Sequence, residues 1–211
     1  MMIKGEGSQE QVIAVNVRKL VQEKKRQEGA SSSVGNIKSF ITSVPDSIIL
    51  RVKPSLVAID RTKKLGVGTY AEVFEGTYLG TKVAVKCFNN DDEKCIKAYR
   101  TELDVLSWLR QHGSHPSLVH IYGGYQDSKQ SYMILELSRF GNAYDHMRRN
   151  RGKTSLRTKL TWALHIAQGL NYLHAAEAHE GSIALHRDIK AENILIISEE
   201  PHSLAKLCDF R

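Results

Sequence analysis

The stretch that most constrains this chain is His186-Arg187-Asp188-Ile189-Lys190-Ala191-Glu192-Asn193, followed at once by the apolar run Ile194-Leu195-Ile196-Ile197. A carboxylate, a cation and a carboxamide stand there at fixed spacing, immediately ahead of a strand-like run. Any three of these residues would read as a polar turn before a strand; the whole octet does not. The chemistry it suits is phosphoryl transfer. Asp188 would accept the proton of an attacking hydroxyl, Lys190 would neutralise charge on the moving phosphoryl group, and Asn193 would offer an oxygen to a magnesium ion.

Three further stretches come before it. Leu65-Gly66-Val67-Gly68-Thr69-Tyr70-Ala71-Glu72-Val73 is a glycine-rich hairpin, a form that lets backbone N–H groups approach phosphate oxygens. Val83-Ala84-Val85-Lys86 follows as an alternating strand ending in a cation, with Gly76 and Gly80 marking the turn between strands. Residues 94–111 then show helical periodicity, with Ile96, Leu103, Leu106 and Leu109 on one side and Glu102 in Thr101-Glu102-Leu103.

In this order the stretches resemble the eukaryotic protein kinases, and the resemblance covers residues 62–211. It implies an α+β, protein-kinase-like fold with a complete small lobe, an antiparallel sheet plus helix C, and only the first part of the helical large lobe. It also implies ATP and Mg2+ as cofactors and a protein Ser/Thr substrate. Lys86 would hold the α- and β-phosphates and Glu102 would pair with it. Leu65, Gly66 and Gly68 would border the nucleotide, with Val73 and Ala84 as an apolar lid over adenine. Leu135 takes the gatekeeper place, the backbones of Glu136 and Ser138 would hydrogen-bond the base, and Leu195 would close the pocket from below. Asn193 and Asp209 would hold the metal. Asn142 stands where kinases reach the ribose, and equally where an exposed polar residue begins a helix. Leu106, Ile121, His186 and Phe210 fall where the family stacks an apolar column, and residues 156–176 look like the spine helix of the large lobe, with Leu160, Leu164, Ala167, Leu170 and Leu173 in step. Residues 194–197 and 204–208 read as a hairpin that returns Asp209 beside Asn193.

Two departures stand out. Ala71 replaces the third glycine of the loop, and Arg211 follows Asp209-Phe210 where the family has glycine. The activation segment, the Ala-Pro-Glu element and later helices are not in the sequence, so Leu160 and Leu164 are expected to be exposed. Two functions are therefore held side by side. One is an ATP-dependent Ser/Thr protein kinase domain, with Lys190 favouring a Ser/Thr over a Tyr acceptor and a small lobe like that of the tyrosine-kinase-like group. The other is a truncated, catalytically incompetent fragment that binds nucleotide or a protein partner.

Composition narrows the rest. At 211 residues, with 25% charged and 41% hydrophobic residues, the chain suits a globular domain plus an extension. Its division is read as a partly helical or disordered extension over 1–61 and a kinase domain over 62–211, with small lobe and hinge to 137. The net charge of +7 suits solvated basic faces; no aromatic residues interleave with the basic runs, so no nucleic-acid partner is expected. Residues 9–27 carry a short amphipathic pattern with a basic end, 29–35 reads as a linker, and 37–60 holds apolar runs broken by Pro45 and Pro54 that would pack on the domain. The three cysteines lack metal-ligand spacing, and Cys208 reads as a quiet buried thiol more than a reactive one. No secretory signal and no membrane-length apolar run is present, so an intracellular, cytoplasmic placement is expected.

Overall fold

The computed structural model describes residues 51–210, apart from 152, 176, 179–181, 184 and 200. The patterns read over 9–27 and 29–35, most of 37–60, and Arg211 lie outside those residues. Among the described residues no helix is long and apolar enough to cross a membrane.

Alternation builds the sheet. In β3 (Thr81–Asn89) Val83, Val85 and Cys87 are buried on one face, while Ala84, Lys86 and Phe88 point to the other, as the two-residue period of a strand requires. β3 pairs with β2 (Ala71–Tyr78) through a two-residue turn, Leu79-Gly80, whose positive φ values of 49° and 80° match the twist of a hairpin. Gly76 marks no turn. It lies inside β2, where a Cβ would stand 2.7 Å from the Ala58 carbonyl oxygen and 2.8 Å from Val85 Cγ2, so close packing requires glycine there.

β1 (Val57–Val67), β4 (Ile121–Gln126) and β5 (Gln130–Glu136) complete an antiparallel sheet of order β1-β2-β3-β5-β4. β1 is irregular. Between the Asp60–Glu75 and Lys64–Phe74 pairs, Arg61, Thr62 and Lys63 loop outward, fastened by Asp60 Oδ1, which accepts from Thr62 N and Thr62 Oγ1. β1 also opens ahead of Thr62, and Val52 N donates to the Gly124 carbonyl at 3.0 Å on the β4 edge. Val52 is thereby buried against Phe74, Val83, Val85 and Ile134 on the outer face of the sheet.

The inner face is covered by α1 (Glu93–His112). Asp92 caps it by accepting from Lys94 N, and the helix buries Tyr99, Leu103, Leu106 and Leu109. After β5 come α2 (Ala143–Arg149), α3 (Leu156–Ala175), the two-residue strands β6 (Glu177–Ala178) and β7 (Ser182–Ile183), and the hairpin of β8 (Ile194–Ser198) with β9 (Leu204–Leu207). α3 buries Thr158, Trp162, Ile166, Gly169 and Leu173 and leaves Leu160 and Leu164 exposed, as expected for those two leucines. Two apolar stripes of equal period run along this helix. Packing selects the one carrying Trp162 and Gly169, because Gly169 lets Leu118 and Ser117 approach to where a Cβ would meet them at 3.0 to 3.2 Å. One apolar cluster then joins sheet, α1, α3 and hairpin, with Leu106, Leu118, Ile121, Met133, Ile166, Ile196, Leu207 and Phe210 all in it.

Candidate functional site

The site forms where the inner face of β3 meets the end of the β8–β9 hairpin. Lys86 points inward from β3, and its Nζ donates to Glu102 Oε2 at 2.6 Å, Glu102 Oε1 at 2.9 Å and Asp209 Oδ1 at 2.5 Å. Glu102 is there because α1 turns it, with Leu103 and Leu106, onto the sheet; it is 4% exposed. Burial works against the charge on Lys86, but the carboxylates of Glu102 and Asp209 together outweigh it and hold the amine above its ordinary pKa. The ammonium is a fixed positive point between two elements that are far apart in sequence.

A second cluster sits in the turn before β8. Asn193 Nδ2 donates to the Asp188 carbonyl at 2.8 Å and to Asp188 Oδ2 at 3.0 Å, and Lys190 Nζ lies 3.0 Å from the same oxygen. Asn193 is buried, whereas Lys190 is half exposed at its side chain. The buried His186 holds this turn to the strand end. Its Nδ1 accepts from Asp188 N at 3.3 Å, which leaves Nε2 as the N–H that donates to the Cys208 carbonyl at 2.8 Å. Its ring meets Phe210 edge-on at 5.2 Å. Cys208 N donates in turn to the Asn193 carbonyl at 3.0 Å, so the residue before Asp209 is tied directly to Asn193. Arg187 and Asp209 take positive φ values of 64° and 66°, a local strain held by these bonds. Burial and the Asp209 carboxylate raise the Cys208 thiol well above its ordinary pKa, which makes it a poor nucleophile.

The remaining predicted positions line the sheet side. Val73 is opposite Lys86, and Ala84 is opposite Leu135. Leu65 is exposed, and Gly68 N closes the loop tip on the Ala71 carbonyl at 2.8 Å. A Cβ at Gly66 would meet nothing within 4 Å and one at Gly68 only the Ala71 oxygen at 3.5 Å, and neither glycine has a positive φ. The chain's own packing therefore does not require glycine at 66 or 68. Glu136 N donates to the His120 carbonyl at 2.9 Å, so this amide is already committed. Asn142 begins α2: its Oδ1 accepts from Asp145 N at 2.8 Å and its Nδ2 donates to Asp145 Oδ2 at 2.9 Å, which favours the helix-start alternative.

Sequence reasoning missed two side chains. The Glu136 carboxylate accepts from Lys206 Nζ at 2.7 Å, and Ser138 Oγ lies 2.6 Å from the Ile196 carbonyl. Both partners are on the hairpin, and no local pattern announces such distant contacts. A groove of about 700 Å³ on the outer face is lined by Arg61, Glu72, Cys87 and Tyr132 among others; it reaches Gly68 but none of Lys86, Glu102, Asp188, Asn193 or Asp209.

The family model for the protein kinase domain matches residues 59–211. Serine/threonine-protein kinase VIK of Arabidopsis thaliana is 30% identical over 170 residues, covering 79% of this chain and 36% of that protein. Receptor-like protein kinase FERONIA of the same plant is 28% identical over 195 residues, 86% of this chain and 21% of that protein. The chain thus spans well under two thirds of these relatives. Among solved structures, Rad53 1-466 in complex with AMP-PNP aligns with a TM-score of 0.62 at 26% identity, over 74% of this chain and 39% of that one.

Proposed function

The chain belongs to the protein kinase family, and from that premise we propose that it transfers the γ-phosphoryl group of ATP to serine or threonine hydroxyls of proteins. The observation that carries this reading is the meeting of Lys86, from the sheet, with Glu102 from α1 and Asp209 from beyond the hairpin, next to the Asp188–Lys190–Asn193 cluster.

The roles that the kinase resemblance implies suit the chemistry at these positions. Lys86, directed by Glu102, meets the α- and β-phosphates, and fixing its direction serves positioning more than stability. Gly66 and Gly68, free of packing duty, carry no side chain to keep the phosphates away from the backbone, and Leu65 borders them. Val73 and Ala84 cover the adenine, Leu195 lies beneath it and Leu135 sits at its rear. The carbonyl of Glu136 and the backbone of Ser138 meet its edge. Asp188, held by Asn193 and Lys190, takes the proton of the acceptor hydroxyl, and Lys190 neutralises charge on the phosphoryl group.

The donor set fits magnesium. With Nδ2 of Asn193 committed to Asp188, its Oδ1 and the Asp209 carboxylate are the oxygens that would hold the ion, few enough to suit a cation that keeps waters and phosphate oxygens. When bound, magnesium supplies charge neutralisation of the phosphates. The domain is proposed to run over 62–211, with 62–137 as small lobe and hinge. Three free cysteines and the use of ATP support action in the cytoplasm.

The test uses the full 211-residue chain with Mg-ATP labelled at the γ-phosphate and a generic protein substrate. Label should appear on serine or threonine, and Asp188→Asn should lower the rate by roughly a hundred-fold or more. Label on tyrosine would overturn the acceptor assignment. Nucleotide binding with no transfer would leave the reading of a nucleotide-binding module in its place.

A further inference from the structure

Ser138 follows β5 by two residues, and its hydroxyl reaches β8. It lies 2.6 Å from the Ile196 carbonyl oxygen and 2.8 Å from the Gly141 carbonyl oxygen. Around it the segment after β5 runs beside β8: Ile196 N donates to the Gly141 carbonyl at 2.8 Å, Phe140 N reaches the Ile196 carbonyl at 3.3 Å, and Asn142 bridges Leu195. The Phe140 contact is long, so the serine hydroxyl makes the shorter bond to that carbonyl. A hydroxyl has one proton, and with two carbonyls in reach it serves both as a three-centre bond.

The bond joins two walls of one slot. Ser138 belongs to the edge proposed to meet the adenine, and Ile196 follows Leu195, the residue proposed to lie beneath it. The rest of the turn is fixed separately: Arg149 Nη2 donates to the Phe140 carbonyl at 2.5 Å, and Asn142 caps α2. Loss of the serine hydroxyl would leave the turn and the ties from residues 140–142 to β8 in place and remove the tie nearest the end of β5.

We propose that the Ser138 hydroxyl is a positioning group that sets the width of the adenine slot by tying the strand-end segment to β8. This rests on the nucleotide reading above. It acts through Leu195 and the Ser138 backbone and touches no reacting atom.

The experiment titrates the full chain and its Ser138→Ala and Ser138→Thr variants with Mg-ATP and, separately, with magnesium tripolyphosphate, which has the phosphates but no base. Ser138→Ala should weaken Mg-ATP roughly five-fold, the loss of one hydrogen bond, and leave tripolyphosphate unchanged; Ser138→Thr, which keeps the hydroxyl, should bind Mg-ATP as the parent does. Equal weakening of both ligands in Ser138→Ala would mean a general loss of structure and would overturn the proposal, as would an unchanged Mg-ATP affinity while the parent binds. Failure of the parent chain to bind Mg-ATP at all would instead bring down the nucleotide reading, and this inference with it.

Discussion

Replacing Lys86 by methionine removes the cation that bridges two carboxylates. Glu102 and Asp209 both accept from the same Nζ at 2.5 to 2.9 Å, so their oxygens lie within about 5 Å of each other. At an effective dielectric of about 20, like charges at that spacing repel by roughly 3 kcal/mol. The Asp209 side chain is 35% exposed against 5% for Glu102, so water screens part of this, and about 2 kcal/mol remains. Taking the ammonium away from the buried Glu102 charge adds to it, for an expected loss of about 3 kcal/mol in Lys86→Met at neutral pH. Adding Glu102→Gln removes one of the two charges at nearly constant shape, and the double variant should regain about 2 kcal/mol. Urea denaturation followed by circular dichroism at pH 7.5 reads both quantities. A double variant less stable than Lys86→Met would refute the shared-cation geometry.

Two further outcomes are expected. The Ser107 hydroxyl is buried in α1 with no hydrogen-bond partner, so Ser107→Ala should raise stability by about 1 kcal/mol in the same denaturation assay, and a loss of that size would show that the hydroxyl is satisfied in solution. His115 Nδ1 accepts from Ser117 N and His165 Nδ1 from Ala205 N, and burial lowers the pKa of both rings. The unfolded chain therefore binds protons more readily, and the stability given by these neutral rings is whole above about pH 6.5 and drains as the pH falls through their folded values. Thermal melts should drop between pH 7.5 and 5.5, with a shallower slope in His115→Gln/His165→Gln; parallel slopes would exclude these two rings as the cause.

How much of this was legible in the sequence depends on the range of the contact. The strands around Val83-Ala84-Val85-Lys86, the helix carrying Glu102 and the hairpin after Asn193 follow from period and composition, and the antiparallel sheet with its helix matches the expected fold class. Gly76 was misread because glycine signals a turn and a close-packed strand alike, and only the neighbouring Ala58 carbonyl decides. The stripe of α3 was ambiguous for a related reason: leucines at 160 and 164 keep the same period as Trp162 and Ile166, and the choice depends on what packs there. Lys86 with Asp209 could be proposed only through the family's resemblance, since 123 residues separate them. The Glu136–Lys206 and Ser138–Ile196 contacts had no such guide.

The seating of Val52 against Gly124 has a practical consequence for anyone preparing this domain. β4 is the outermost ribbon on its side of the sheet, and its open amides and carbonyls would be a template for stray chains if nothing lay along them. Arg51 and Val52 lie along it, and the valine plugs the greasy outer surface. A clone begun at residue 59, where the family match starts, would strip away that shield and invite self-association; one that retains residues 51 and 52 keeps it in place.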